Sequence, residues 1–263
     1  MHNVIDLWTA LKYPYAFGNL RRGWLFPSVC LVLVQIVTLL CVQYLPDLTL
    51  LKTDDVAIKL ADLLQFLLLT GFNVLLCGFL WSMTGNLQDN GKQVAILLWR
   101  EHWGCYLLRG FKLLLLASLL ASFLVFLTQK LVGQLGGSSL LTMGLLTILY
   151  TVAGFFLLVV IVDASRNYRF RELLLLHRGL GCIGAYFVPW LMACLYAVLA
   201  LALYLLVLMV AGMLFGMMID SIELFDMLVF PFALVPLIIT IWHLLNQPFL
   251  PDAEEASEEI TEQ

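Results

Sequence analysis

The sequence predicts an all-α, polytopic integral membrane protein with six transmembrane helices. Of the 263 residues, 62% are hydrophobic and only 12% are charged, and the mean hydropathy is +0.98. Ordinary soluble domains contain about 25% charged residues. A soluble fold could not bury this much apolar surface, so lipid must form part of the solvent. The apolar residues also fall into runs of about 20 residues, which is the length that a spanning helix needs.

Six apolar runs account for most of the chain: 24–45, 60–82, 108–128, 140–163, 185–216 and 227–249. The first run begins near Trp24 and is long enough to span, so we expect an uncleaved anchor rather than a signal peptide. The fifth run is longer than a bilayer requires, so its helix is tilted, extends past the bilayer or is broken. Gly212 and Gly216 near its end favour a break or a close helix contact there.

Lys and Arg residues are distributed unequally between the two sets of loops. Eleven lie before or at the edges of the first, third and fifth runs, whereas only Lys52, Lys59 and Lys130 lie on the other side. Basic loops remain in the cytoplasm. We therefore expect both termini to be cytoplasmic.

The first, third and fifth runs are each preceded by a segment that mixes bases, aromatic residues and leucines. These segments cover 7–24, 94–110 and 166–181. In the second segment, one stripe at helical spacing contains Ile96, Trp99, Trp103 and Tyr106. Aromatic residues at the headgroup level and bases near the phosphates are typical of a helix that lies in the interface. The pattern predicts amphipathic interfacial helices before helices 1, 3 and 5.

The last thirteen residues differ in composition from the rest of the chain. The transmembrane domain is predicted over 1–250, and 251–263 contains six acidic residues and no base. Such a composition cannot bury enough apolar surface to fold, so we expect a disordered cytoplasmic tail. The remaining chain is only mildly basic, which gives no indication of nucleic-acid binding.

Three stretches resemble an uncharacterised prokaryotic multi-pass membrane family, a family of unknown function. "ALKYPYAFGNLRRGWLFPSVCLVLVQIV" (10–37) is similar to its K-Y-P-F-like opening and the apolar span that follows. "LLTGFNVLLCGF" (68–79) is similar to its Gly-rich second span. "WGCYLLRGFKLLLL" (103–116) is similar to a segment of the type P-E-W-x-D-W-G-x-L-F-x-x-G-L-K. The resemblance implies a helical polytopic fold in the inner membrane of a prokaryote, without an established activity.

The third stretch both matches and departs from the family pattern. The residues that match in spacing are Trp103, Gly104, Gly110 and Lys112. We expect the two glycines to ease helix packing where the chain turns into the bilayer. The family's proline has no counterpart before Trp99, and Glu101 and His102 replace its acidic pair. A role that needs two carboxylates is therefore not implied here.

His102 and Cys105 invite a catalytic or metal-binding interpretation. They are three residues apart and share a helix face, but no acid at a useful spacing completes a triad. His177 and Cys182 would extend them to a Cys2His2 set, although that pair lacks a standard ligand spacing. The six cysteines contain no C-x-x-C pair and are expected to be free and buried. We predict no catalytic residue, no metal and no cofactor.

Bases at the predicted cytoplasmic boundary favour a lipid site. Arg109, Lys112 and Arg169 are the candidate residues for binding a lipid headgroup. The alternatives are that the bases extend to phosphates without forming a site, or that one of them pairs with Asp163.

Three amides lie inside the predicted spans, at Gln35, Gln65 and Asn73. Such amides form interhelical hydrogen bonds or line a transport path. Ionisable residues are not found clearly at the bilayer centre, which argues against proton-coupled or ion-coupled transport.

These patterns favour a non-enzymatic integral membrane protein that binds membrane lipids or a membrane-protein partner. It would serve as an accessory subunit of a membrane complex, or form a homo-oligomer. The alternative is a permease or transport component for a small molecule or lipid. A membrane-embedded enzyme that uses His102 is the third hypothesis.

Overall fold

The computed structural model describes residues 5–16, 24–44, 49–52, 57–90, 103–134, 140–167, 176–218, 225 and 229–250. Its α-helices are α1 (Leu7–Lys12), α2 (Phe26–Tyr44), α3 (Leu60–Asn90), α4 (Trp103–Gln134), α5 (Leu140–Asn167), α6 (Leu176–Met218) and α7 (Phe230–Asn246). Short 3-10 turns follow α1 at Tyr13–Tyr15 and α7 at Gln247–Phe249. Two short strands, β1 (Thr49–Lys52) and β2 (Ala57–Lys59), lie between α2 and α3.

Among the described residues, four helices are long and apolar enough to cross a membrane. Their apolar stretches are Leu60–Gly85, Gly104–Lys130, Tyr186–Gly216 and Phe230–Phe249, and the last of these includes the 3-10 turn after α7. These stretches correspond to the second, third, fifth and sixth predicted runs, so the helical membrane class is confirmed. The first and fourth runs lie on shorter apolar helices, Phe26–Cys41 and Met143–Phe156. Six crossings therefore remain a prediction.

The strand pair is a feature that the sequence did not predict. β1 and β2 are antiparallel, with Thr49 opposite Lys59 and Lys52 opposite Ala57. The Asp62 carboxylate accepts a hydrogen bond from the Lys59 backbone N–H at 3.3 Å. Asp62 is the third residue of α3, so this contact satisfies a donor at the start of the helix, as in a capping box.

The three predicted interfacial segments differ in the structure. Within the first segment, α1 is six residues long, and the Asp6 carboxylate caps it by accepting from the Thr9 backbone N–H at 3.1 Å. In the second segment, 94–102 lies outside the described residues, and 103–110 is continuous with the apolar part of α4. In the third segment, the described part is likewise continuous with α5 or α6. Separate interfacial helices remain a prediction.

The described residues form several buried clusters, in which α7 and the turn after it contact α1, α2, α3, α5 and α6. Tyr13 belongs to a buried cluster with Leu31 of α2, Met83 of α3 and Ile239 of α7. A second cluster consists of small residues and one leucine: Ala10, Ala197, Ala200 and Leu244. Alanines allow close backbone approach, so the N-terminal helix packs directly against two apolar helices. A third, largely aromatic cluster contains Phe155, Val159, Trp190 and Phe249.

Glycines set the contact between α3 and α4. A Cβ added at Gly110 would overlap the carbonyl oxygen of Val74, and a Cβ added at Gly78 would overlap that of Tyr106. The predicted packing role of Gly110 is therefore confirmed. Gly104, for which the same role was expected, has open space where a Cβ would lie.

The long fifth run forms a helix without a break. α6 continues through Pro189 and past Gly212 and Gly216 to Met218. Gly212 instead lies beside Phe225, whose ring is 3.6 Å from the position of an added Cβ. The helix break therefore does not occur, and a close helix contact at Gly212 or Gly216 remains a prediction.

Candidate functional site

The N-terminal end of α4 carries the two described members of the predicted lipid site. Arg109 and Lys112 are both partly buried. The Nη1 of Arg109 donates a hydrogen bond to the Ser82 hydroxyl on α3 at 3.2 Å. Ser82 is 7% exposed, so this contact holds the arginine against α3. Arg169 and the side chain of Asp163 lie outside the described residues.

The glycine contact between α3 and α4 explains why Arg109 reaches Ser82. Gly110 follows Arg109 directly, and Gly78 precedes Ser82 by about one helical turn. Because the two backbones touch at the glycines, the side chains beside the contact are brought together. Lys112 follows Arg109 by three residues, so the two cations are neighbours on the helix surface. Both lie near the start of the apolar stretch of α4.

The three predicted amides are not joined to one another by hydrogen bonds. The Oε1 of Gln35 is buried and accepts no hydrogen bond among the residues that the structure describes. Gln65 is partly buried and Asn73 is exposed on α3. Their predicted roles, as interhelical contacts or as a path, remain predictions.

Sequence reasoning missed a buried polar cluster that joins α1 to the end of α7. The Oε1 of Gln247 accepts from the Asp6 backbone N–H at 2.7 Å, and its Nε2 donates to the Asp6 carbonyl at 3.0 Å. The same Nε2 lies 3.1 Å from Nδ1 of His243. The His243 ring contacts that of Tyr13 at a centroid distance of 4.3 Å. Burial raises the pKa of the Tyr13 hydroxyl above its ordinary range.

The hydrogen bonds of this cluster determine the protonation of His243. The bond from the Asp6 N–H fixes Oε1 of Gln247 as the acceptor, so the other amide atom is the nitrogen, which can only donate. Nδ1 of His243 must then accept, which requires a neutral ring at this position. His243 and Gln247 are both fully buried. The cluster attaches the N-terminal segment to the end of α7.

Two tryptophans satisfy carbonyl groups on neighbouring helices. Trp242 Nε1 donates to the Leu80 carbonyl and to the Thr84 hydroxyl, both at 2.9 Å. Trp24 Nε1 donates to the Phe232 carbonyl at 2.8 Å. That carbonyl lies four residues before Pro236, which has no N–H to donate to it. Trp24 therefore replaces the hydrogen bond that the proline removes from α7.

The proposed histidine and cysteine set receives no support from the described residues. His102 lies outside them, as do the side chains of His177 and Cys182, and Cys105 is an exposed free thiol. The part of the chain that the structure describes contains no group of three or more His, Cys, Asp or Glu that could hold a metal ion. The other described cysteines are free and partly buried: Cys30, Cys41, Cys77 and Cys194.

Comparisons of the chain with protein-family models, with curated proteins and with solved structures find no match. The membrane class therefore rests on the four apolar helices.

Proposed function

We propose that this chain is a non-enzymatic integral membrane protein that binds anionic lipid headgroups and acts as an accessory subunit of a membrane complex. In this proposal six helices cross the inner membrane of a prokaryote, and both termini are cytoplasmic. The resemblance to an uncharacterised multi-pass family belongs to the same proposal. The lipid site consists of Arg109 and Lys112, with Arg169 as a third base.

The observation that supports this function most directly is the contact between Arg109 and Ser82. A base that only extends to the nearest phosphate needs no protein partner, whereas Arg109 is held against a nearly buried hydroxyl on α3. A cation held in place loses less conformational entropy on binding. Lys112 supplies a second charge one turn further along α4, which favours an anionic headgroup over a neutral one.

The extent of uncovered apolar surface supports an accessory role. Only 6% of an 18-residue apolar segment of α6 is buried by the rest of the chain. The exposed apolar side chains of α6 point in several directions around the helix. Lipid or another membrane protein must cover this surface, because water cannot do so without a large free-energy cost.

The lipid proposal is tested with the double variant Arg109→Gln/Lys112→Gln. The full-length protein is reconstituted in nanodiscs of phosphatidylglycerol and phosphatidylcholine, and the retained lipids are counted by mass spectrometry. Each base near a membrane surface contributes about 1 kcal/mol, so we expect roughly a 10-fold to 30-fold weaker preference for the anionic lipid. Adding Arg169→Gln should weaken it further.

Lys130→Gln is the matched control, because Lys130 lies at the other end of the apolar stretch of α4. This variant removes a charge from the same helix without touching the proposed site, and it should retain the wild-type preference. An unchanged preference in the double variant would refute the lipid site.

A transport component is the second candidate, and buried polar atoms on α2 favour it. The Oε1 of Gln35 and the Oγ1 of Thr38 are enclosed without a hydrogen-bond partner among the described residues. The two residues are three apart and so neighbours on the helix. Water or a polar solute would satisfy both atoms. Labelling of a Gln35→Cys variant by a membrane-impermeant thiol reagent, above the level of the parent protein, would support an aqueous path; parent-level labelling would contradict it.

A further inference from the structure

Two amide side chains lie on one face of α3 that the chain leaves largely uncovered. Asn73 is exposed and lies near the centre of the apolar stretch Leu60–Gly85. Gln65 lies about two helical turns earlier on the same face. Between the amides, this face carries Phe66 and Leu69, which are 65% and 38% exposed. Gln65, Phe66, Leu69 and Asn73 are together called the amide face.

The polar groups of the amide face lack partners within the described chain. Neither Gln65 nor Asn73 forms a hydrogen bond with a residue that the structure describes. Lipid tails offer no donor or acceptor, so an amide at this depth is unfavourable unless another protein group satisfies it. The apolar neighbours Phe66 and Leu69 would be equally stable in lipid. The amides, rather than the leucine and phenylalanine, therefore indicate a protein partner.

We propose that the amide face is the interface between two copies of this chain. An amide has both a donor NH2 group and an acceptor oxygen, so it is complementary to the same amide across a two-fold axis. Two copies inserted in the same orientation place each residue at the same depth as its counterpart. Asn73 then meets Asn73, and Gln65 meets Gln65, without any adjustment of register. A different partner would need hydrogen-bonding groups at both depths.

The interface requires that α3 crosses the membrane, which is part of the proposed function, but it does not require lipid binding by Arg109 and Lys112. The two claims can therefore fail separately. The Arg109→Gln/Lys112→Gln variant should dimerise like the wild type even if it loses anionic lipid.

Counting of subunits in a bilayer tests the interface. The full chain with a fluorescent C-terminal tag is reconstituted in phosphatidylcholine–phosphatidylglycerol vesicles over a range of lipid-to-protein ratios, and photobleaching steps are counted. We expect wild-type dimers and, in Gln65→Leu/Asn73→Leu, dimerisation weakened by about tenfold or more, since several interhelical hydrogen bonds are lost at once. Asn73→Gln keeps the donor and the acceptor and should retain association.

Leu67→Ala is the control, because Leu67 is 55% exposed on another side of α3. It should leave dimerisation unchanged, and the retained association of Asn73→Gln shows that a substitution at this position is tolerated by the fold. Monomeric wild-type protein at every ratio, or dimers that persist in the double leucine variant, would overturn the proposal. Association with a different protein in place of the second copy would overturn it as well.

Discussion

α7 and α6 are both apolar enough to cross a membrane, yet the chain covers them to very different extents. In α7, 56% of an 18-residue apolar segment is buried by the rest of the chain, whereas in α6 the corresponding share is 6%. The end of α7 and the turn after it carry hydrogen-bonding residues, Trp242, His243, Asn246 and Gln247. Lipid cannot supply partners for such groups. Trp242 binds α3, and Gln247 binds the backbone of Asp6. Asn246 and His243 bind within the same end of the chain. The polar content of a spanning helix thus indicates whether protein or lipid surrounds it.

The largest loss of stability is expected at the contact between α3 and α4, where the two backbones touch at glycines. Gly110→Leu places a side chain where the Val74 carbonyl lies, and we expect a loss of about 3 kcal/mol or more, or failure to fold. Thermal unfolding in detergent measures it. Gly104→Ala on the same helix, which has open space at the Cβ position, should be neutral or slightly stabilising. Equal losses in both variants would contradict the glycine contact.

A matched pair of leucines compares the covered and uncovered helices directly. Leu244 of α7 is fully buried, whereas Leu206 of α6 is 58% exposed. Leu244→Ala should lower the free energy of unfolding by about 2–5 kcal/mol, because it leaves a cavity. Leu206→Ala should change it little, because lipid fills the space. Both are measured by chemical unfolding in the same micelles, and a larger loss at Leu206 would reverse the comparison.

A smaller effect is expected where Trp24 satisfies the carbonyl that Pro236 leaves free. Trp24→Phe removes the hydrogen bond to Phe232 and should cost about 1–2 kcal/mol. In a Pro236→Ala background the helix can supply its own donor, so the same substitution should cost less. A double-mutant cycle measures this coupling. Additive losses would show that the indole and the proline act independently.

The smallest effect is the dependence of stability on pH at Tyr13. Burial raises the pKa of this hydroxyl above its ordinary value of 10.0, so the folded state keeps the proton that the unfolded chain loses. Stability is therefore unaffected below about pH 10 and falls as the pH rises further, by about 1 kcal/mol between pH 10 and 11. Tyr13→Phe should remove this part of the slope. If stability fell equally with pH in the variant and in the wild type, the pH dependence would not arise from the Tyr13 hydroxyl.

Local composition predicted the elements well but not the contacts between them. Hydrophobic runs of spanning length correspond to α3, α4, α6 and α7, because a long apolar run has few other stable forms. The close approach at Gly110 was also anticipated, since a glycine beside an apolar run is typical of a helix contact. The role expected of Gly104 was wrong, because the contact depends on the direction in which each residue faces and not on residue type.

The polar contacts could not have been predicted from the sequence. Gln247 binds the backbone of Asp6, which lies 241 positions away. Because nearly every residue has the same backbone groups, the sequence does not indicate which of them a distant side chain will bind. The Trp24 indole likewise binds a distant backbone group, the Phe232 carbonyl. Pro236 gave a partial signal, because a proline within a helix leaves a carbonyl free. The strands β1 and β2 are only four and three residues long, too short to show an alternating pattern.

The most direct test of the contrast between α6 and α7 is labelling by a lipid with a photoreactive group on its acyl chain. The wild-type protein is reconstituted with this lipid and irradiated, and the modified peptides are identified by mass spectrometry. We predict that labels concentrate in Tyr186–Gly216 and are sparse in Phe230–Phe249, in line with their buried shares. Equal labelling of the two stretches, or preferential labelling of α7, would contradict the account.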